Sequence, residues 1–298
     1  MTYLPATQPE TTSQLLERSL QLFKFAFRKV ILLGLFLSVC MFLPRLLNLL
    51  YGVGKPNGHF LAENAYIFFT LGINLACLIL FAAMLWDMRC VMTNNSELIT
   101  RDLKTSLRKL PLLIGASIIE ELIVGVITLC VMLSYRHFVL NHLITTMHGP
   151  RHILNAELVL PDNRFYVFLT AIPLMLYAAL VFYIYVLLLF YLPIIVTEGK
   201  GLLSALGRSV KLVWKNAWRV IKLQLCLWAF YFVFLLFLKE VLRVEVHIFF
   251  FDTEQVSVTA MFILIFMFSL FISWYAASLL VQLHDLELRK KLIPFDKM

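Results

Sequence analysis

The chain has 298 residues, of which 61% are hydrophobic and 15% are charged, and its formal net charge is +8. Soluble globular chains carry about 45–50% apolar and about 25% charged residues. The mean hydropathy of +0.86 therefore excludes an ordinary soluble domain and predicts a surface that faces lipid. The basic residues lie next to apolar runs, so anionic lipid headgroups are the expected partner and nucleic acid is not.

The first predicted element is an amphipathic helix over residues 12–27, followed by an apolar span at 30–50. Its polar stripe, which ends in Lys24 and Arg28, recurs every three to four residues, the period of a helix. Such a helix lies flat at the inner membrane interface with its cations toward anionic headgroups, or it packs against the protein's own spans.

A second span is predicted at 66–86, a second amphipathic helix at 97–109 and a third span at 111–134. A helix needs about 20 mostly apolar residues to cross the hydrocarbon core. Each of these spans meets that length.

Three charged residues lie inside predicted spans and away from their inner ends. Glu120 and Glu121 are near the middle of the third span, and Arg45 is in the first. A carboxylate at that depth is costly unless it is protonated, paired or hydrated. These three residues form a candidate intramembrane polar site, either an ion or proton relay or a polar substrate site. The alternative is a structural contact that fixes helix packing.

The longest predicted outer loop, 135–164, contains four histidines. His148 and His152 are four residues apart, which on a helix would suit a metal site or a pH-responsive loop. Gly149 and Pro150 lie between them and disfavour a regular helix, so solvated interfacial histidines are the favoured interpretation. We predict no metal ligands and no cofactor.

The fourth span lies within 165–196, a stretch of 32 residues without a charged residue. As one helix it would be about 48 Å long, more than the hydrocarbon thickness. The segment is therefore expected to tilt, to kink at Pro173 or Pro193, or to extend beyond the bilayer.

A third amphipathic helix is predicted at 200–216, before spans at 218–238 and 257–283. Its polar stripe supplies three further candidate headgroup contacts: Arg208, Lys211 and Lys215.

The Lys and Arg distribution gives an orientation. With the N-terminus inside, nineteen of these residues fall on the inner side and six on the outer side. Cytoplasmic segments carry the excess of Lys and Arg in membrane proteins. Both termini are therefore expected in the cytoplasm.

Two amphipathic segments align without a gap, 18–31 with 208–221, and 96–115 is a weaker third copy. Each precedes a span, so the chain is interpreted as three copies of one unit: an inner amphipathic helix, a span out and a span back. The repeats belong to one integral membrane domain, 1–298, and cover about 10–92, 93–197 and 198–291.

The stretch 192–221, LPIIVTEGKGLLSALGRSVKLVWKNAWRVI, carries a recognisable pattern. It has a Pro near a span end, a Glu-Gly turn, an amphipathic helix and a basic-aromatic approach to the next span. This resembles a bacterial family of six-span inner-membrane proteins, which includes the membrane domain fused to some glycerophosphoryl diester phosphodiesterases. The resemblance implies an inner-membrane location and no particular chemistry. The matching residues are Pro193, Glu198, Ala205, Leu206 and Ser209.

The sequence contains no phosphate-binding loop, zinc-protease or hydrolase motif. The leading hypothesis is a non-enzymatic, all-α polytopic protein that organises or senses the inner leaflet, alone, as a homo-oligomer or with other membrane proteins. The alternative is a transporter or permease for a small polar or ionic substrate that uses Arg45, Glu120 and Glu121.

Overall fold

The computed structural model describes residues 3, 5–51, 60–93, 99–146, 164–240 and 258–292. All regular structure in these ranges is helical. In chain order the elements are α1 (Thr12–Tyr51), α2 (Phe60–Met92), α3 (Ile99–Thr146), α4 (Arg164–Leu188), α5 (Tyr191–Glu198), α6 (Leu202–Val213), a 3-10 turn (Trp214–Asn216), α7 (Ala217–Glu240) and α8 (Val258–Leu292).

Six helical stretches within these ranges are long and apolar enough to cross a membrane. They are Thr12–Pro44, Phe68–Met92, Arg101–Leu133, Met175–Glu198, Leu202–Glu240 and Val258–Lys291. Each contains most of one predicted span. The prediction of an all-α polytopic membrane protein with six spans is confirmed.

The amphipathic segments are helical, but only the third is a separate element. Residues 12–27 are the first turns of α1, and the described part of 97–109 is the first part of α3. The 3-10 turn Trp214–Asn216 separates α6 from the span that follows it, and α1 and α3 have no such break. Before α6, Gly199 adopts φ +65°, a left-handed conformation that ends α5 and favours glycine.

The lengths of two helical segments, α3 and the fourth span, differ from the prediction made from the sequence. Helix α3 continues to Thr146, so the first part of the predicted loop 135–164 is helical. The fourth span is divided between α4 and α5 at Leu189 and Phe190. Pro193 explains the division, because it has no N–H to donate to the carbonyl of Leu189.

The chain forms two compact units. The large unit comprises residues up to Ala116 and from Phe190 onward, and the small unit comprises Ser117–Leu189. Their boundaries differ from those of the predicted repeats, and the repeat organisation stays a prediction.

Helix α1 packs against α8 and α2 in the large unit. Helices α1 and α8 approach each other closely at Gly34. A Cβ atom there would lie 2.3 Å from Ser273 Oγ and 2.9 Å from the carbonyl oxygen of Ser269. Small residues permit this approach, which is typical of packing between membrane helices.

A buried polar contact joins α7 to α8. Gln224 Nε2 donates to Gln282 Oε1 over 3.1 Å, and both side chains are buried. Nearby, the rings of Tyr231 and Phe271 have centroids 4.5 Å apart. An amide pair in an apolar interface fixes the pairing of two helices because an unpaired amide there is costly.

Candidate functional site

The large unit has one end at which charged side chains converge, where α1 begins and α8 ends. We call it the ionic end and define it by the following residues: Glu10, Arg18, Lys29, Asp87, Asp102, Glu198, Arg208, Arg219, Asp285, Glu287 and Arg289. Their contacts join the N-terminal segment to α1, α2, α3, α5, α6, α7 and α8.

Asp285 on α8 is the centre of the first ion-pair group and is 1% exposed. Its Oδ2 lies 2.9 Å from Arg289 Nε and 3.2 Å from Arg219 Nε on α7. Its Oδ1 accepts a hydrogen bond of 2.8 Å from the backbone N–H of Glu10. Arg289 also donates to the backbone carbonyl of Glu10. A buried carboxylate needs such partners. Through them, Asp285 joins the N-terminal segment, α7 and α8.

The N-terminal segment is held against the helices by further contacts. Arg18 Nε lies 2.6 Å from Glu10 Oε1. His284 Nε2 is hydrogen-bonded to the backbone carbonyl of Ala6 at 2.9 Å. Tyr3 is buried with its ring edge-on to Phe25, and burial raises the pKa of Tyr3 to about 12. This segment is therefore an ordered part of the ionic end.

Arg208 on α6 is the centre of the second group. Its guanidinium contacts Glu287 of α8 and lies 2.9 Å from Glu198 Oε1 at the end of α5. Lys200 Nζ lies 3.0 Å from the other oxygen of Glu198. The sequence predicts Arg208 as a headgroup contact. In the structure, its ion pairs also hold α6 against α5 and α8.

The family-pattern residues lie together at the α5–α6 turn. Ala205, Leu206 and Ser209 are on the buried face of α6, and Ser209 Oγ accepts a hydrogen bond from the backbone N–H of Phe190. Pro193 is buried in α5, and its carbonyl accepts the hydroxyl hydrogen of Thr197. The pattern therefore describes how this turn packs and carries no reactive group.

Two carboxyl groups on α2 and α3 form a third group. Asp87 and Asp102 are each fully buried, and their side chains interact with each other. Lys29 Nζ of α1 is 3.5 Å from Asp87 Oδ1. The three side chains connect the first three helices.

Four of the predicted headgroup contacts differ from these paired cations. Lys24, Arg28, Lys211 and Lys215 are exposed, and no described acidic side chain lies within ion-pair distance of them. These cations therefore remain available to an external anion.

Exposed aromatic side chains lie beside the two exposed lysines that follow Arg208. Trp214 is 62% exposed and Trp218 66% exposed. Leu203 on α6 is 74% exposed. We call these five residues the exposed basic face: Leu203, Lys211, Trp214, Lys215 and Trp218. Tryptophan and lysine side by side are typical of segments at a membrane–water interface.

Two residues of the candidate intramembrane site, Glu120 and Glu121, lie in the small unit, and the third, Arg45, belongs to the large unit. Glu120 is half-buried and Glu121 exposed, and Tyr185 of α4 interacts electrostatically with both. Further along α3, the hydroxyls of Thr128 and Tyr177 are hydrogen-bonded over 2.7 Å. The side chain of Arg45 lies outside the described residues, so its pairing with either glutamate stays a prediction.

Sequence reasoning missed Asp87, Asp102, Arg219 and Asp285. One local signal was present, because Asp285 and Arg289 have the i, i+4 spacing that pairs side chains on a helix. The remaining contacts join residues far apart in the chain. His148 and His152 lie outside the described residues. Within those residues, no group of three or more His, Cys, Asp or Glu side chains could hold a metal ion.

Fold and ionic end together define a polytopic α-helical membrane protein with a charged layer at one end. In comparisons with known proteins, the chain matches no family model, no curated protein and no solved structure. The relation to the membrane domain of glycerophosphoryl diester phosphodiesterases stays a prediction.

Proposed function

We propose that the protein is a non-enzymatic inner-membrane protein that senses or organises anionic lipid through its exposed basic face. The observation that carries this proposal is the composition and exposure of that face. Lys211 and Lys215 stand beside two exposed tryptophans, while the neighbouring Arg208 is engaged by acidic residues. The indole rings suit the headgroup region, and the ammonium groups suit lipid phosphates.

The packing of α6 supports a fixed orientation of this face. Its buried side contacts the protein, with Leu212 and Val213 at most 3% exposed, and Arg208 holds it to α5 and α8. A helix that is fixed on one side presents its other side without the entropy cost of ordering a free segment. The resemblance of 192–221 to the bacterial six-span family supports the cytoplasmic leaflet as the surface concerned.

The test uses full-length protein in proteoliposomes that contain phosphatidylglycerol with a photoreactive headgroup. Wild type is compared with Lys211→Gln/Lys215→Gln, and the label on residues 201–222 is measured by mass spectrometry. Each lysine near an anionic surface contributes about 1 kcal/mol. Loss of both, about 2 kcal/mol, is therefore expected to reduce labelling about thirtyfold at low salt.

The matched control is Lys290→Gln/Lys291→Gln, which removes the same charge from exposed positions near the end of α8. We expect labelling of 201–222 to stay at the wild-type level. Equal losses of labelling in both variants would mean that the total charge of the protein determines labelling, and not the exposed basic face. Equal labelling by a photoreactive phosphatidylcholine would reject recognition of anionic lipid.

A second candidate function, transport, rests on the polar groups of the small unit. Glu120 and Glu121 lie within a span and near Tyr185. Intramembrane carboxylates often serve proton or ion pathways. Proton flux into liposomes, measured with an internal pH dye, should then be present in wild type and lost in Glu120→Gln/Glu121→Gln. An absence of proton flux in wild type would reject the hypothesis of proton transport through this site.

A further inference from the structure

A cavity of about 870 Å³ opens beside the beginning of α3 in the large unit. Among the residues that the structure describes, its lining consists of Trp86, Arg101, Lys104, Thr105, Arg108 and Lys109. Four of these six side chains are cationic, and none is acidic. Cavities of about 300–1,000 Å³ are the size of ordinary small-ligand sites. The cavity is separate from the exposed basic face and from the intramembrane glutamates.

The cations occupy one face of α3. Arg101, Lys104 and Arg108 follow one another at intervals of three and four residues, and all three are exposed. Like charges at this spacing on a helix oppose each other. An external anion would relieve the repulsion.

The cavity has a fixed wall. Lys109 donates a hydrogen bond from Nζ to the backbone carbonyl of Val196 on α5. The same Nζ lies 4.7 Å from the centroid of the Trp86 ring, and the Arg89 guanidinium is 5.5 Å from that ring. These contacts hold the start of α3 against α2 and α5. A site positioned in this way needs little rearrangement to bind a ligand.

The cationic side chains that line the cavity favour a phosphate group as the ligand. Guanidinium groups match phosphate oxygens with two parallel hydrogen bonds, and the cavity has two arginines at its exposed side. Beyond Arg108 along the helix, Leu112 is an exposed apolar residue. A ligand with a phosphate at the cations and an apolar part along α3 would satisfy both features.

We propose that this cavity binds the phosphate of an anionic phospholipid, as a discrete site separate from the exposed basic face. Basic pockets between membrane helices are suited to anionic lipid headgroups. The cavity volume exceeds that of a phosphate ion and accommodates a headgroup with its glycerol. This proposal does not depend on the exposed basic face contacting lipid.

The experiment titrates purified full-length protein, in an uncharged detergent, with dioctanoyl phosphatidylglycerol and measures bound lipid by native mass spectrometry. Dioctanoyl phosphatidylcholine and inorganic phosphate are run in parallel. We expect saturable binding of phosphatidylglycerol at one site. Binding should weaken at least about tenfold in Arg101→Gln/Arg108→Gln, because two charge-assisted contacts are lost.

Two further variants control the result. Lys290→Gln/Lys291→Gln removes the same charge from exposed positions that do not line the cavity and should change the affinity less than about twofold. Arg101→Lys/Arg108→Lys keeps the charge and removes the bidentate geometry, so it should weaken binding to an intermediate degree. Lys104→Gln gives a second, single-residue disruption in case the double variant does not fold.

Three outcomes would overturn the proposal. The first is the absence of saturable phosphatidylglycerol binding to wild type. The second is equal weakening by the arginine pair and by the Lys290 and Lys291 pair, which would indicate general charge attraction. The third is inorganic phosphate competing as well as the lipid, which would keep a phosphate site but reject its assignment to phospholipid.

Discussion

The spans of the protein are alike in composition but differ in how much of them is buried. In the span Val258–Lys291, 61% of the most apolar stretch is buried, whereas in Arg101–Leu133 only 6% is. The first lies in the large unit, and the second continues into the small unit. Apolar composition therefore identifies a span but does not say whether protein or lipid surrounds it.

Small and polar residues account for the difference. The buried positions of α8 include three serines, Gln282 and Asp285, which make close backbone approach and hydrogen bonds possible. The small unit instead exposes large apolar residues on α3 and α4: Leu122, Val126, Leu129, Met132, Met175 and Leu176. Because lipid is as apolar as leucine, such residues create no preference for a protein partner.

The largest effect is expected at the centre of the ionic end. Asp285→Asn leaves Arg219 and Arg289 without their shared carboxylate, and breaking a buried pair costs about 3–5 kcal/mol. Thermal unfolding in detergent, followed by near-UV circular dichroism, should show a large decrease in Tm. The matched variant Glu121→Gln in the small unit should change Tm little. Similar Tm values for wild type and Asp285→Asn would mean that the ionic end does not hold the large unit together.

An intermediate effect is expected from two glycines, one in each unit. In Gly34→Ala, the new Cβ would clash with Ser273 and with the Ser269 backbone, at a cost of about 1–3 kcal/mol. In Gly125→Ala, a Cβ meets no atom within 4 Å, and alanine favours the helix by up to about 1 kcal/mol. The two changes in Tm should have opposite signs, and a decrease of equal size in both variants would contradict the contrast between the units.

The smallest effect is expected for the hydroxyl pair of the small unit. Removing the Thr128–Tyr177 hydrogen bond with Thr128→Ala and Tyr177→Phe, separately and together, should give a coupling energy of about 0.6 kcal/mol. Hydrogen bonds between membrane helices are modest because the unfolded state finds other partners. A coupling energy of several kcal/mol would show that the small unit is held by polar contacts after all.

The sequence was sufficient to predict the spans because each is a long apolar run. The division of the fourth span near Pro193 also follows from local chemistry. Pairing across the chain does not: Arg208, Lys211 and Lys215 share one polar stripe, yet only Arg208 is reached by Glu198 and Glu287. Likewise, the pairing of Arg219 with Asp285 depends on how α7 and α8 pack, which no periodicity within either helix specifies.

The central claim is that the exposed basic face contacts anionic headgroups. Its most direct test is lysine acetylation of the reconstituted protein, measured residue by residue in phosphatidylglycerol and phosphatidylcholine nanodiscs. The account predicts that Lys211 and Lys215 react several-fold more slowly in phosphatidylglycerol. The difference should disappear at about 1 M salt, where the Debye length is about 3 Å. Equal reaction rates of both lysines in the two lipids at low salt would contradict the claim.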